Sequence, residues 1–510
     1  MTPTPAPAGS AEGLLELRAL VDGAIGVLRE VALGRKGPVA AGGPEAARAA
    51  AHAALAGPLM PEQPSDAAGT FLRLVRAYAE WSVDLTHPAA VARMQCPPTA
   101  VAAAAELVTA TLNQSLHAWE SGPFALELER YVVSELAQLA GYGAGSGGTL
   151  TAGGSVSNLM ALLLARDDAV QRRAGRMSFS AGMASLGVRP VVVCTDVTHF
   201  SIGRAAGIVG LGEDAIVRVP SDPLGRLSPE VLDRVLATLP GDVLPVAVVA
   251  CAGATDQGWV DELPAIAEVT RRYGVWLHAD AAYGGGALFS PRLRPMLAGL
   301  SEADSITLDL HKFGWTPAAS GVFLVRRAET LRHLGGQRTT LNADEDAAAG
   351  YIGLYGDSVQ ATRRVDAFKI AATLAVLGRA GLAAMVDGCH DLARYAAGRI
   401  TGERRLELAA MPVLSTVLFR YLPGTGDADA FNGRLRQRLM GEGRALLART
   451  RVRRADGTAP VFLKLMLLNP ATTPAQLDAV IDDVLAVAAA EETRSWQAPD
   501  TDRYGDRKWT

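Results

Sequence analysis

The chain has 510 residues, of which 49% are hydrophobic and 20% charged, and a net charge of −4. That length and apolar content provide for one large core with smaller additions. The near-neutral charge argues against a nucleic-acid partner or an anionic membrane surface, both of which need a basic face.

Residues 1–12 are rich in Pro and Ala and are expected to be disordered. They lack the basic flank and apolar core of a signal peptide. No uninterrupted apolar run reaches the ~18 residues of a spanning helix, so a cytoplasmic protein is expected. Residues 13–110 read as a helical segment. Its pattern over 11–56 is poor in large apolar residues, so these helices are expected to pack on something else, such as a partner subunit. A more amphipathic helix is predicted over 70–83. Cys96-Pro97-Pro98 breaks the chain, an Ala-rich helix follows to about 116, and another spans 124–140.

A large α/β unit is expected over 111–385. Apolar runs at 191–194, 215–219, 246–250, 275–278, 306–310 and 321–325 read as strands, with helical patterns between many of them. That alternation predicts a mostly parallel sheet covered by helices on both faces. A helix is predicted over 367–377. A small α+β unit over 386–490 has strands near 413–420 and 462–468 and helices near 428–441 and 474–489. Residues 491–510 read as a loose polar tail. The four cysteines, Cys96, Cys194, Cys251 and Cys389, form no CxxC pair, so neither a disulfide framework nor a metal site is expected.

The chemistry concentrates on two strand ends. The run 275–278 delivers Asp280, the segment 291–300 has helical character, and the run 306–310 delivers His311-Lys312. A right-handed strand–helix–strand crossover brings both to the C-terminal edge of one sheet, where open α/β sheets bind ligands. A lysine and an acid there suit pyridoxal phosphate (PLP). Lys312 supplies an amine for its aldehyde, and Asp280 a charge for its ring nitrogen. Ala282 is small enough to lie under a flat ring, and equally suits a simple turn. The turn Gly153-Gly154-Ser155-Val156-Ser157-Asn158 opens a helix, where backbone amides and the Ser155 and Ser157 hydroxyls can surround a phosphate. Ordinary N-capping explains those serines as well. Upstream, Gly143-Ala144-Gly145-Ser146-Gly147-Gly148 has dinucleotide-loop spacing but follows a helical pattern. It reads as a flexible link. His199 ends a strand and can stack on a ring, and Thr255 follows the strand 246–250 and can reach ring substituents. His278 and His311 flank the key pair, His278 being at least as well explained as a structural residue.

Together these residues resemble the PLP-dependent group II amino-acid decarboxylases, which include the aromatic-amino-acid, glutamate, lysine and diaminobutyrate enzymes. The resemblance spans roughly 87–381. Cys96-Pro97-Pro98, Asn113-Gln114-Ser115 and Gln360-Ala361-Thr362-Arg363-Arg364 look most like the bacterial lysine and diaminobutyrate branch. It implies the PLP-dependent transferase fold type I, an α/β fold with a seven-stranded-type sheet, and a homodimer with a shared site. It assigns the imine to Lys312, the pyridine partner to Asp280, stacking to His199, and phosphate contacts to Val156 and Ser157, with Asp309 and His311 close by. It implies α-decarboxylation of an L-amino acid, the α-carbon being protonated by a tyrosine of a loop near 342–357. Both Tyr351 and Tyr355 qualify, and Tyr355 is favoured. Lys312 and Asp280 would equally serve transamination, C–S lyase chemistry or oxidative deamination. A non-catalytic protein of the same fold is the alternative of another class. Phe313, Trp315 and Trp119 suggest an apolar pocket or ordinary packing, whereas the branch resemblance suggests a linear basic substrate.

Overall fold

The computed structural model describes residues 6–55, 60–63, 65–175, 182–183, 187–222, 224–334, 343–454 and 456–493. The expected polar tail beyond Thr493 lies outside them. So do residues 1–5 of the expected disordered start, and Asn342. The first helix, Ala11–Gly34, begins inside the expected disordered stretch, because the Ser10 hydroxyl accepts the amide of Gly13 at 3.0 Å.

The main sheet has seven strands: β1 (Gly147–Thr151), β2 (Arg189–Thr195), β3 (Ile216–Val219), β4 (Val243–Cys251), β5 (Trp276–Ala281), β6 (Ser305–Asp309) and β7 (Gly321–Val325). Their order is β1-β7-β6-β5-β4-β2-β3. The pairs β2–β3, β2–β4, β4–β5 and β5–β6 are parallel, and β7 runs antiparallel to both its neighbours. The six expected strands are present. They read as continuous apolar runs because both faces of the sheet are covered. Along β4, Val248 and Ala250 enter one core cluster while Ala247 and Val249 enter that on the opposite face.

Three local expectations fail for physical reasons. The segment expected to be a flexible link contributes Gly147 and Gly148 to β1. A Cβ on Gly148 would lie 2.2 Å from the Phe323 carbonyl oxygen, so glycine is what lets this strand close on β7. The β5–β6 crossover is parallel as expected, but it is built of 3₁₀ turns (Gly284–Phe289, Arg294–Leu297, Leu300–Glu302) rather than an α-helix. The helix expected to end at 377 runs on from Asp366 to Thr401, broken only at Gly378 (φ 61°, ψ 178°).

That helix joins two cores. Leu382, Val386 and Cys389 pack under the main sheet. Leu392, Ala396 and Ile400 pack under a second, antiparallel sheet. Its strands are β8 (Leu406–Leu408), β9 (Thr416–Tyr421), β10 (Ala448–Arg451) and β11 (Val461–Met466), in the order β10-β11-β9-β8. By length and hydropathy alone the Asp366–Thr401 helix would suffice to cross a membrane. Its fully buried Lys369, paired with Asp366 at 2.9 Å, and its packing under both sheets mark it as a core helix. The units are also tied at the site edge, where the Tyr283 hydroxyl meets the Ser415 hydroxyl at 2.9 Å and the Thr416 hydroxyl at 3.0 Å.

Candidate active site

A cavity of about 400 Å³ opens at the C-terminal edge of β4, β5 and β6. Asp280, Ala282, His199, Ser155, Val156, Thr255, Asp309, His311 and Lys312 all line it. The sheet edge therefore gathers nine of the ten residues expected to hold the cofactor.

Lys312 stands on the single turn Leu310–Phe313 that follows β6. Its amine lies 2.9 Å from Asp309 Oδ2, and the Asp309 side chain is almost fully buried. The turn is clamped from three sides. The Cys96 thiol reaches the His311 carbonyl oxygen at 3.2 Å, Thr99 N donates to the Trp315 carbonyl at 2.9 Å, and Leu310 N to that of Ser320 at 2.8 Å. The Cys96-Pro97-Pro98 break thus serves to lay the N-terminal segment against the lysine turn. His311 Nδ1 accepts the Ser320 amide, and burial holds its ring pKa below the ordinary value.

Asp280 sits next to last in β5. Its Oδ1 accepts the Ala282 amide at 3.1 Å, and its Oδ2 accepts Asn158 Nδ2 at 2.9 Å. Asn158 is 1% exposed and was not singled out as a site residue by the sequence. The available signal was its place near the start of the Gly154–Ala174 helix, shortly after the glycine turn. His199 Nδ1 lies 2.8 Å from the Ser201 hydroxyl and accepts the Ser201 amide at 3.3 Å. The proton of the neutral ring therefore sits on Nε2, and burial lowers the ring's pKa.

Ser157 is the exception among the phosphate candidates. Its hydroxyl is buried and turned to Thr151 Oγ1 at 2.7 Å, away from the cavity. Phe313 and Trp315 are core residues. Phe313 stacks on Tyr283 at 5.4 Å, and Trp315 Nε1 donates to the Leu468 carbonyl oxygen at 3.0 Å. Trp119 packs edge-on against Tyr351 at 4.8 Å. None of the three lines the cavity of its own chain, so of the two readings left open, pocket or packing, packing describes them here. Neither Tyr351 nor Tyr355 reaches the cavity of its own chain.

PLP fits what is present. Gly153, at φ 129°, opens the helix with no side-chain cap, which leaves its N-terminal end free to face a phosphate. A Cβ on Gly154 would lie 3.1 Å from both Ala282 Cβ and Asp309 Oδ2, so the bare backbone makes the room there. Asp309 Oδ1 is buried without a hydrogen-bond partner among the described residues. An amine, a carboxylate, an imidazole and a helix N-terminus are the groups that the aldehyde, ring nitrogen, ring face and phosphate of the cofactor would call for.

His278 lies deeper on the same face of β5. Complete burial, only partly opposed by Asp280, lowers its pKa from 6.5 to about 4. Its folded pKa is depressed, so the folded state binds fewer protons than the unfolded one between those values. Stability is then intact above pH 6.5 and falls as pH drops toward 4, by roughly 3 kcal/mol at the end of that window. Unfolding midpoints taken from pH 7 to 4 should show this slope, and His278→Gln should flatten it. An unchanged slope in the variant would contradict the assignment.

Residues 69–422, more than half of the chain, match the model of the pyridoxal-dependent decarboxylase conserved domain. An L-2,4-diaminobutyrate decarboxylase of Rhizobium meliloti is 39% identical over 85% of this chain and 84% of its own. One of Acinetobacter baumannii is 32% identical over 82% and 83%. The solved glutamate decarboxylase domain of a diaminobutyrate-pyruvate transaminase and L-2,4-diaminobutyrate decarboxylase from Vibrio parahaemolyticus superposes with a TM-score of 0.82. It is 27% identical, covering 94% of this chain and 97% of that one. These similarities establish the type I fold and the cofactor, and they favour decarboxylation over the other PLP reactions. The chain belongs to the pyridoxal-dependent decarboxylase family and is a PLP-dependent amino-acid decarboxylase.

Proposed function

We propose that the substrate is L-2,4-diaminobutyrate. The observation that carries this is the 39% identity to a decarboxylase of that amino acid across most of both chains. The cavity size supports it. At about 400 Å³ it is near the lower end of small-molecule pockets, about 300–1,000 Å³, and must hold the cofactor as well. That favours a short, unbranched side chain over an indole or phenol.

Lys312 would hold the cofactor through its aldehyde and give way to the substrate amine, with Asp309 placed to keep the freed lysine side chain. Asp280 would keep a negative charge against the ring nitrogen, and His199 would stack on the ring. The phosphate takes the Gly154–Ala174 helix N-terminus with Ser155 and Val156. When bound, PLP supplies the sink for the electron pair left as the α-carboxylate departs as CO2. Thr255 and His311, which line the same cavity, would border the ring substituents.

The active form is proposed to be a homodimer. Large apolar side chains stay open to solvent on the first helix, with Leu15 70% and Leu33 75% exposed, which supports a covered face in the assembly. Tyr355 would then reach the partner's cavity, exclude water there and donate the proton to the substrate α-carbon. All four cysteines are unpaired thiols, which agrees with a reducing, cytoplasmic setting.

Initial rates of CO2 release for diaminobutyrate, lysine, ornithine, cysteine sulfinate and aromatic amino acids test the substrate. The highest kcat/KM is expected for L-2,4-diaminobutyrate. An acidic or aromatic amino acid in first place would overturn this reading.

A further inference from the structure

Asn158 has all four hydrogen-bonding positions of its carboxamide filled. Its Nδ2 donates to Asp280 Oδ2 at 2.9 Å and to the Ser201 hydroxyl at 3.0 Å. Its Oδ1 accepts the Thr307 hydroxyl at 3.0 Å and faces His278 Nε2 at 2.9 Å. The opposite amide orientation would set an oxygen against the Asp280 carboxylate, so the assignment follows from the partners. The direction of every neighbouring bond then follows as well. The Trp276 indole N–H donates to Ser305 Oγ at 2.9 Å, which leaves that hydroxyl to donate to His278 Nδ1 at 2.8 Å. His278 must carry its proton on Nε2 and give it to Asn158. On the other branch, Ser201 accepts from Asn158 and is free to donate to His199 Nδ1. One buried chain, Trp276–Ser305–His278–Asn158, therefore ends in a fork on Asp280 and His199.

We propose that Asn158 is a positioning residue that yokes the two. Its amide fixes the Asp280 carboxylate against the cofactor's ring nitrogen and, through Ser201, fixes the tautomer of the ring-facing His199. This rests on the reading that Asp280 meets the ring nitrogen. Among the described residues Asn158 is the one side chain hydrogen-bonded to Asp280 Oδ2, and Asn158 is itself buried, so removing its amide takes away a hydrogen bond to a charged acceptor.

A double-mutant cycle on PLP affinity, measured by fluorescence quenching of apoenzyme, separates this from a merely structural role. Asn158→Ala should weaken PLP binding about 10–100-fold and move the pH dependence of the bound cofactor's absorption spectrum. In an Asp280→Ala background the same substitution should change affinity less than about threefold, because the group it acts through is gone. Full additivity of the two losses, or unchanged affinity and spectrum in Asn158→Ala, overturns the proposal. If Asn158→Ala does not fold, Thr307→Val keeps the shape, removes one donor into Asn158 Oδ1, and should weaken binding several-fold, again only when Asp280 is present. An Asp280→Ala enzyme with wild-type PLP affinity and spectrum would instead overturn the reading of Asp280 itself, so the two failures are distinguishable.

Discussion

Lys312→Ala is expected to lose the visible absorption of bound PLP and to lower the rate of CO2 release by about 10³-fold or more. Two functions leave with one amine. The cofactor loses its covalent hold, and the substrate loses the partner it must displace. Asp309 then keeps a buried charge without the ammonium that stood 2.9 Å from it, so Asp309→Asn in the same background should restore some stability without restoring turnover. Absorption spectra and CO2 release of the purified variant check both parts. Turnover near that of the wild type would remove Lys312 from the mechanism.

The second large effect lies away from the chemistry. Arg363 Nη1 meets Glu129 Oε1 at 2.7 Å with both side chains nearly fully buried. The same Glu129 oxygen accepts the Thr149 hydroxyl at 3.0 Å and the Leu150 amide at 3.2 Å. The pair thereby ties the segment before the long helix to β1, the strand that leads into the phosphate turn. Arg363→Leu leaves the Glu129 carboxylate buried and uncompensated, and should cost about 3–5 kcal/mol of stability. Adding Glu129→Leu should recover much of that loss, since an apolar pair of similar volume replaces the ions. Denaturant midpoints of the two variants decide it. A double variant no more stable than Arg363→Leu would show that the cost comes from packing and not from the charge. The Thr362-Arg363-Arg364 motif, part of the family resemblance, thus contributes a structural arginine.

What was legible in the sequence follows from periodicity. β2 through β7 are apolar runs long enough to be buried on both faces, and Asp280 and Lys312 stand where two of them end. Alternation along β5 also puts His278 and Asp280 on one face, and the β5–β6 register sets Thr307 beside Asp280. The Asn158 hub was not legible, because its partners come from residues up to 149 positions away and only the sheet brings them together. β1 was hidden by its glycines, which weaken any strand pattern yet are needed for its close approach to β7. Phe313 and Trp315 were left open between pocket and packing because bulk beside Lys312 suits both equally, and here the core took both. The role proposed for Tyr355 requires a second chain, which no pattern within one chain can place.

The most direct test is product stoichiometry with PLP-loaded enzyme and L-2,4-diaminobutyrate. CO2 and 1,3-diaminopropane should appear in equal amounts, with no oxygen consumed and no ammonia released. A keto acid, or an aldehyde formed with oxygen uptake, would contradict decarboxylation by this site.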